Sequence, residues 1–477
     1  MSSKEEICFM SACEMKERII NQELTSEEIT SAIIERIEKI NPKINAYCTT
    51  TFDLAIELAK KADEVVKKKE KIGLLHGIPT SIKDLMQTKG IKTSYGSKIY
   101  ENFMPDQDDI AVKRLKEAGC VILGKTNTPE FGHIALTDNL LFGETKNPWD
   151  LKRNSGGSSG GAAASVASGA GPLALGSDGG GSIRVPSSLC GVFGLKPTFG
   201  RIPSYPRIGI AFLSMDHYGP IVRYVKDAAL MLDAMKGPHP SDNYSFPNDG
   251  SEFLMALEDK PEKLRIGYSM NLGFFRLCDE EVERKVLEQV NKFENFGWNV
   301  EEAKIKLKKP DYCFSVLVAM GYAYDLHKFL ESNPEDLSPD LKNIIKAGLS
   351  FELKDIGKAT EQRKDIYEVF YRFFQDYDIL ITPTTPIPAF EKEMTEIGTR
   401  FPKIKNKPIN ITSWMSYTKP FNLTGLPAAS IPCGWSNEGL PIGMQIIGKR
   451  YDEKTVLQVS KAFEEIAPWQ DKKPKLD

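Results

Sequence analysis

The sequence has little histidine and no clustered cysteine, the residues that most often build metal sites and catalytic dyads. Among its 477 residues the five histidines stand at least 22 positions apart, and no H-E-x-x-H motif is present. The eight cysteines are scattered, and none forms a Cys-x-x-Cys pair. These absences exclude a local zinc motif and a small disulfide framework, and they favour reduced thiols in the cytoplasm. We expect neither a metal nor a cofactor.

The sequence also lacks an excess of charge and a long apolar run. Lys and Arg total 62 against 65 Asp and Glu, a formal net charge of -3, so nucleic acid is not an expected partner of this chain by itself. The longest uncharged run, 154–177, is mostly Gly, Ser and Ala and is too weakly apolar to span a bilayer. The first ten residues carry charges where a signal peptide needs an apolar stretch. We therefore predict a cytoplasmic protein with no membrane partner.

What is present is an alternation of amphipathic helices and short apolar strands. A capping box opens a helix over 25–41, which Pro42 is expected to end. Residues 78–82 and 120–123 are typical of buried strands, and a helix over 109–118 is predicted between them. This order of elements indicates an α/β fold.

Two later segments are also predicted to be helical. Residues 219–236 are expected to form a helix with Pro220 in its first turn. The aromatic-rich segment 312–330 is expected to pack in the core, with a lining role at a substrate entrance as the alternative. We predict a single large domain over 1–477, in which the loop 237–250 is the best candidate for a break.

The segment 154–188 differs in composition from the rest of the chain. It holds 10 of the 37 glycines and 9 serines in 35 residues, with glycine runs at 156–161 and 179–184. A flexible linker and a phosphate-binding loop are competing interpretations, but a P-loop needs a lysine that follows neither run, and linkers do not carry packed elements such as those predicted at 162–167 and 173–175. Successive N–H groups of a glycine-rich turn beside a serine can instead form an oxyanion hole next to a nucleophile.

A nucleophilic serine needs a base, and no histidine lies within 20 residues of either glycine run. Lysine is the known alternative. Lys83 follows the predicted strand 78–82 and so lies at a strand end, where the sites of α/β proteins gather. Because most lysines are solvated surface charges, this position alone does not make Lys83 a base.

The blocks around these residues resemble the amidase signature family. They are GIPTSIKD at 77–84, ILGKTNTPEFG at 122–132, LFGETKNPWD at 141–150, GGSSGG at 156–161 and GSDGGGSIRVPSSLCGVFGLKPTFGRIP at 176–203. The signature core spans about 73–204, and the resemblance extends in weaker form over roughly 25–460. It implies a large mixed β-sheet flanked by helices on both faces.

The resemblance also implies a Ser-Ser-Lys triad that works through an acyl-enzyme intermediate. Ser182 matches the nucleophile, Ser158 the bridging serine and Lys83 the general base. The oxyanion hole falls on the backbone N–H groups of Gly179, Gly180, Gly181 and Ser182. A working lysine base needs a pKa of roughly 7 to 8, about 3 below that of free lysine, and burial can produce that shift. The family holds its bridging serine after a cis peptide bond, which Gly157 would tolerate here.

Neighbouring residues are expected to support the site. Asp178 and Arg184 flank the nucleophile and should pair with each other or with the backbone to fix the loop. Ser159 is expected to be a local hydrogen-bonding residue. Phe131 and Gly132 follow a family block that lines the acyl pocket, which implies a pocket role.

Two positions need separate comment. His133 is expected to be a satisfied, non-catalytic histidine. At Gly179 the sequence departs from the family, because many relatives have a side chain there. The N–H group remains, so the oxyanion hole is expected to survive in a looser loop.

The resemblance leaves two activities open, both on a small-molecule amide. One is a stand-alone amidase that hydrolyses carboxylic amides to an acid and ammonia or an amine. The other is the glutaminase subunit of the glutamyl-tRNA(Gln) amidotransferase, which releases ammonia from glutamine within a multi-subunit complex. Residues 412–434 resemble the general amidases, and the acidic residue that the glutaminase subunit places before that block is not found, which favours the free enzyme. A catalytically dead scaffold is disfavoured because all three catalytic positions are filled. The oligomeric state stays open, and a homodimer is allowed.

Overall fold

The structure, a computed structural model, describes residues 3–207, 209–395 and 398–476. Helices and short strands alternate along most of this length, as the sequence predicts. The helices are α1 (Lys4–Phe9), α2 (Ala12–Ile20), α3 (Ser26–Ile44), α4 (Phe52–Lys67), α5 (Ile110–Glu117), α6 (Gly160–Ala167), α7 (Arg184–Cys190), α8 (Val225–Met235), α9 (Glu280–Val290), α10 (Asp311–Leu326), α11 (Phe329–Ser332), α12 (Pro339–Leu349), α13 (Leu353–Asp376), α14 (Ile411–Trp414), α15 (Lys419–Thr424) and α16 (Glu453–Ile466).

The strands are short, and most of them join one sheet. They are β1 (Tyr47–Thr50), β2 (Pro79–Lys83), β3 (Val121–Thr126), β4 (Lys146–Asn147), β5 (Asp150–Asn154), β6 (Leu173–Asp178), β7 (Phe193–Lys196), β8 (His217–Val222), β9 (Arg265–Tyr268), β10 (Asn299–Glu302), β11 (Ile379–Pro383), β12 (Glu393–Thr395), β13 (Gly398–Arg400), β14 (Lys403–Ile404), β15 (Lys407–Pro408), β16 (Ala428–Trp435) and β17 (Pro441–Gly448).

Eleven of the described strands form a mixed sheet in the order β1-β3-β2-β6-β8-β7-β16-β17-β11-β9-β10. Strand β2 lies parallel to β3 and β6, and β9 lies parallel to β10 and β11, whereas the β6–β8 and β16–β17 pairs are antiparallel. Helices α7 and α16 both pack against β16 and β17. The central strands β2, β6, β8 and β17 are buried along their whole length, as strands covered on both faces must be. This architecture confirms the predicted fold class.

Two parallel strands bring the polar residues of the site together. In the β2–β6 pair, Ile82 lies opposite Leu175. Lys83 is the last residue of β2, and Ser177 and Asp178 are the last residues of β6. Because parallel strands end at the same edge of a sheet, these three side chains lie near one another at that edge.

The predicted helix over 219–236 is wrong in its first part. Residues 217–222 form β8, and the helix α8 begins only at Val225. Pro220 lies inside this strand, opposite Leu175 of β6. On the other side of β8, strand β7 pairs with Ile221 and Val222 alone, so the proline lies beyond the end of that ladder, where its missing N–H group is tolerated.

The helix α3 runs two residues beyond the stop predicted at Pro42. It ends at Ile44, with Pro42 inside its last turn. The stop falls instead at Asn45, which has a left-handed backbone with φ of 51°, and whose N–H group donates to the carbonyl of Asn41. A proline near a helix end removes one main-chain donor without blocking the residues that follow it.

The segment 237–250 lies between α8 and a short 3-10 helix over Met255–Glu258. The eleven-stranded sheet takes strands from both sides of this segment, and β7 before it pairs directly with β16 after it. Within the residues that the structure describes, no helix is both long and apolar enough to cross a membrane.

Candidate active site

Lys83 is completely buried at the end of β2. Its Nζ atom lies 2.6 Å from the Oγ atom of Ser158 and 3.0 Å from the Oγ atom of Ser177. Burial lowers the pKa of Lys83 to about 7, although the carboxylates of Asp216 and Asp178 oppose the shift. An ammonium group would lose its hydration here, so the neutral amine is favoured above neutral pH. A neutral amine is the form that a general base requires.

Ser158 follows a cis peptide bond, Gly157–Ser158, as the family resemblance implies. The next residue, Ser159, connects the two glycine-rich loops. Its hydroxyl donates to the carbonyl of Ser177 at 3.1 Å, and its N–H group donates to the carbonyl of Ser182 at 3.1 Å. Ser159 thus makes local hydrogen bonds that hold Ser158 near the loop of Ser182.

The loop that carries Ser182 is held by a buried ion pair. Arg184 donates to both carboxylate oxygens of Asp178 at 2.9 Å, and both side chains are completely buried. The same carboxylate accepts the N–H groups of Gly181 at 2.7 Å and of Ile183 at 3.1 Å. Burial alone would raise the pKa of Asp178, but the Arg184 guanidinium holds it well below its usual range. The pair therefore stays ionised and fixes the backbone on both sides of Ser182.

The four N–H groups predicted to form an oxyanion hole are not equivalent. The N–H group of Gly181 donates to Asp178, so the structure corrects the prediction at this position. In the described part of the chain, the N–H groups of Gly179, Gly180 and Ser182 have no acceptor within hydrogen-bond distance. Gly181 has φ of 138°, and a Cβ atom there would lie 2.4 Å from Oγ1 of Thr418, which explains the need for glycine.

The glycine at 179 does not leave a gap in the loop. A Cβ atom there would lie 2.5 Å from the ring of Phe212, so this ring occupies the space of the missing side chain. The expectation of a looser loop at Gly179 is therefore not supported by its surroundings.

The serines open onto a cavity with two arms, which share Ser182, Gly132 and Phe212. We call the first the polar arm; its volume is about 90 Å³, and its walls include Ser158, Arg207, Asp216, Tyr218, Tyr322 and Asp325. We call the second the apolar arm; its volume is about 290 Å³, and its walls include His133, Phe314, Val318, Ile344, Phe351 and Met415.

The residues predicted to line a pocket lie on these walls. Phe131 lines the polar arm, and Gly132 lies where the arms meet. Gly132 has φ of 72°, and a Cβ atom there would lie 3.3 Å from Oγ of Ser158, so a side chain would crowd the bridging serine. His133 faces the apolar arm, and its Nδ1 atom lies 2.7 Å from the carbonyl of Glu130.

The aromatic helix α10 lines both arms, so packing in the core is not its only role. Phe314 and Val318 face the apolar arm, and Tyr322 and Asp325 face the polar arm. Their spacing of three or four residues places them on one face of the helix. The alternative of a lining role, rather than core packing alone, describes this helix.

The sequence analysis assigned no role to Ser177, Asp216, Arg207 or Met415, all of which line the cavity. A signal for Ser177 existed, because it ends the strand that runs parallel to the strand of Lys83. Asp216 directly precedes β8, whose pairing with β6 is a tertiary contact that spacing does not reveal. In the described residues, no group of three His, Cys, Asp or Glu side chains is arranged to hold a metal ion.

Comparison with known proteins agrees with this geometry. The family description named Amidase matches residues 28–457, so the chain belongs to that family, and it is a hydrolase of amide bonds. An acylamidase of Rhodococcus erythropolis is 36% identical over 475 residues, which cover 99% of this chain and 98% of that protein. A glutamyl-tRNA(Gln) amidotransferase subunit of Carboxydothermus hydrogenoformans is 38% identical over 496 residues, covering 99% of this chain and all 100% of that protein.

A solved structure extends the comparison to the fold. A bacterial aryl acylamidase of the amidase signature family superposes with a TM-score of 0.90 at 29% identity, and the match covers 97% of each chain. The resemblance drawn from the five sequence blocks is thereby confirmed. The relatives include both a free amidase and one component of a tRNA-dependent enzyme, so the family alone does not choose between the two activities.

Proposed function

We propose that the chain is a stand-alone amidase that hydrolyses carboxylic amides through Ser182, Ser158 and Lys83. The observation that carries this proposal is the contact of 2.6 Å between the buried amine of Lys83 and the hydroxyl of Ser158, at the wall of the cavity that Ser182 also faces. A lysine that burial has made weakly basic can accept a proton from a serine, whereas a solvated lysine cannot.

The reaction follows from these contacts. Ser158 passes its proton to Lys83 and takes the proton of Ser182, whose oxygen forms a bond with the carbonyl carbon of the amide. The N–H groups of Gly179, Gly180 and Ser182 are the donors for the resulting oxyanion. The C–N bond then breaks as the proton returns through Ser158 to the leaving nitrogen. Water hydrolyses the ester of Ser182 by the same proton path in reverse.

One step requires movement of a side chain. Among the described residues, the hydroxyl of Ser182 makes no hydrogen bond with Ser158, although both line the polar arm. Hydrogen bonds of catalytic groups are often long without substrate and shorten in the complex. A rotation of the Ser182 side chain when the amide binds completes the relay.

The cavity favours a free amidase over a glutaminase. The segment 412–434 contributes Met415 to the apolar arm, and a thioether cannot pair with the ammonium group of glutamine. The carboxylate in that arm, Asp340, already accepts the N–H group and the hydroxyl of Thr399. A zwitterionic amino acid would therefore bury its charges against aromatic and aliphatic side chains, which is costly.

The glutaminase remains the second candidate because an amidotransferase component is 38% identical over the full chain. The purified chain should release acid and ammonia from simple aliphatic and aryl primary amides without any partner. If it hydrolyses none of them, and glutamine is cleaved only after partner subunits are added, the stand-alone proposal fails and the glutaminase is favoured.

The nucleophile is tested by covalent labelling. A fluorophosphonate probe should label the wild-type chain at Ser182, and Ser182→Ala should abolish the labelling. The variant Ser188→Ala is the matched control, because Ser188 is also a buried serine of this region but lies in α7. Labelling of Ser182→Ala at another residue would remove Ser182 from the mechanism.

A further inference from the structure

The two arms of the cavity differ in their relation to the bridging serine. Ser158 lines the polar arm and is not among the described residues that line the apolar arm. In the proposed reaction the leaving nitrogen takes its proton from Oγ of Ser158 as the C–N bond breaks. The nitrogen must then lie within hydrogen-bond distance of Ser158, and its substituent extends into the space on that side.

From this we propose that the amine part of the substrate occupies the polar arm and the acyl part the apolar arm, and that Asp216 binds an ammonium group carried by the amine. The substrate class is then an amide formed between an apolar carboxylic acid and one end of a diamine. This inference rests on the proposed function and adds to it the identity of both halves of the substrate.

The charges of the polar arm support a cationic ligand. Arg207, the guanidinium of this arm, is already paired, because it lies 3.3 Å from both carboxylate oxygens of Asp242 and also donates to the carbonyls of Ser204 and Leu213. Its positive charge therefore compensates Asp242, not Asp216.

Asp216 has no such partner. No side chain of the described residues donates a hydrogen bond to its carboxylate, and its one backbone donor is the N–H group of His217. Burial raises the pKa of Asp216 to about 6, with Lys83 and Arg207 opposing the shift, so the carboxylate is ionised above neutral pH. Lys83, the nearest other cation, is largely neutral in the same range.

The remaining polar groups of this arm do not supply a positive charge. The hydroxyl of Tyr218 donates to Asp109 at 2.9 Å, and that of Tyr322 donates to the carbonyl of Phe131 at 3.0 Å. Asp325 accepts the N–H group of Ile210 at 2.7 Å and adds a second carboxylate at the outer part of the arm. The arm therefore has an excess of negative charge.

The walls between the serines and these carboxylates are apolar. They are formed by Leu85, Phe131, Leu213 and Leu326. Such walls accept a methylene chain, and a chain that ends in an ammonium group would bring that group to a carboxylate at its far end. The apolar arm, at about 290 Å³, has room for an aliphatic or aromatic acyl group.

The test compares two amides of the same size that differ by one charge. N-(aminobutyl)hexanamide and N-pentylhexanamide have the same acyl group and the same number of heavy atoms, but only the first carries an ammonium group. We expect kcat/KM for the cationic amide to exceed that of the neutral one by at least about tenfold near pH 8, as a charged hydrogen bond allows. Moving the ammonium group to the end of the acyl chain should lower kcat/KM by a similar factor.

The variant Asp216→Asn should bring the ratio of the two kcat/KM values close to one. The ratio is the correct readout because both substrates use the same Lys83, so any change in the basicity of that lysine cancels. Glu335→Gln, which removes a carboxylate from the exposed surface, should leave the ratio as in the wild type. Inhibition by diaminobutane and by pentylamine provides the same comparison without turnover, and the diamine should bind more tightly to the wild type.

The outcomes separate this inference from the proposed function. If the enzyme hydrolyses hexanamide and N-pentylhexanamide but shows no preference for the cationic amide or the diamine, the assignment of the polar arm is wrong and the amidase stands. If the preference exists but survives Asp216→Asn, Asp216 is not the binding group. If no amide at all is hydrolysed, the proposed function itself fails. The wild-type ratio gives a result even if the Asp216 variant does not fold.

Discussion

At the scale of single residues, the charge state of Lys83 connects stability with activity. Its pKa in the folded chain is about 7, whereas that of an unfolded lysine is about 10.4. Between these values the unfolded chain binds more protons, so the free energy of unfolding rises with pH from about 7 to 10, and below that range burial of this lysine destabilises the fold.

The variant Lys83→Met should therefore be inactive and more stable. At pH 7 we expect its free energy of unfolding to exceed that of the wild type by about 1–3 kcal/mol, because the desolvation penalty is removed while two serine hydroxyls lose a partner. The rise in stability between about pH 7 and 10 should also disappear. Urea unfolding followed by tryptophan fluorescence at both pH values measures this. The exposed Lys71→Met is the control, and an equal gain there would contradict the argument.

The pH dependence of turnover should report the same lysine. Because Lys83 acts as a neutral base, kcat/KM should rise with pH through about 7 and then reach a plateau. The charges around it are the carboxylate of Asp216 and the ion pair of Asp178 with Arg184. Asp216 favours protonated Lys83, so Asp216→Asn should move the midpoint to lower pH by about one unit. A midpoint that stays in place would separate Asp216 from the base.

The resemblance located the three residues proposed for catalysis because they occur within long blocks of sequence. The residues that it missed have no such local pattern. Asp216 reaches the cavity because β8 pairs with β6, and Met415 because the segment before α15 folds back over the nucleophile loop, where its sulfur would lie 3.3 Å from a Cβ atom at Gly180. Such contacts depend on packing between distant parts of the chain, which spacing along the sequence does not encode.

At the scale of secondary-structure elements, the nucleophile loop is held by contacts from three other elements. Besides its pair with Asp178, Arg184 donates to the carbonyl of Thr418, to Asn422 of α15 and to Gln445 of β17. Replacing Arg184 by Met would leave the carboxylate of Asp178 buried without its cation. We expect a loss of about 3–5 kcal/mol in the free energy of unfolding, measured by denaturant titration. The exposed Arg372→Met should change stability by less than about 0.5 kcal/mol.

The helix α10 approaches the wall of the polar arm through a glycine. A Cβ atom at Gly321 would lie 2.2 Å from the Cα atom of Ala211, which is part of that wall. Gly321→Ala should therefore destabilise the fold by about 1–3 kcal/mol and lower kcat/KM for N-pentylhexanamide more than for hexanamide. In the matched control, Gly357→Ala of α13, the new methyl group meets open space and should stabilise the fold by about 0.5–1 kcal/mol. Equal effects of the two variants would contradict this packing argument.

The elements were predicted best where a local signal defines them. The capping box of α3 and the apolar run of β2 gave elements close to those observed. The segment around Pro220 was misread because a buried strand and the first turn of a helix both tolerate proline and apolar residues. Only the pairing of β8 with β6 and β7 resolves that ambiguity, and this pairing is set by the sheet as a whole.

At the scale of the whole molecule, the sheet joins both halves of the chain. Strand β7 precedes the segment 237–250 and pairs with β16, which follows it by nearly 180 residues. A protease site inserted between Pro247 and Asn248, which are exposed, should therefore be cleaved without separating the fragments. We expect them to co-elute in size-exclusion chromatography and to retain amidase activity. Fragments that separate without denaturant would show that 237–250 divides two independent units.

The ion pair of Asp178 and Arg184 has a further consequence, which concerns temperature. Because it orders the backbone around Ser182 as soon as the chain folds, binding of an amide does not have to order that loop again. The conformational entropy of the loop is lost during folding, so it does not enter the activation entropy of acylation. Turnover should then rise along a straight Arrhenius line up to the temperature at which the entire fold is lost. A decline at lower temperatures, before any loss of secondary structure, would mean that the loop melts on its own.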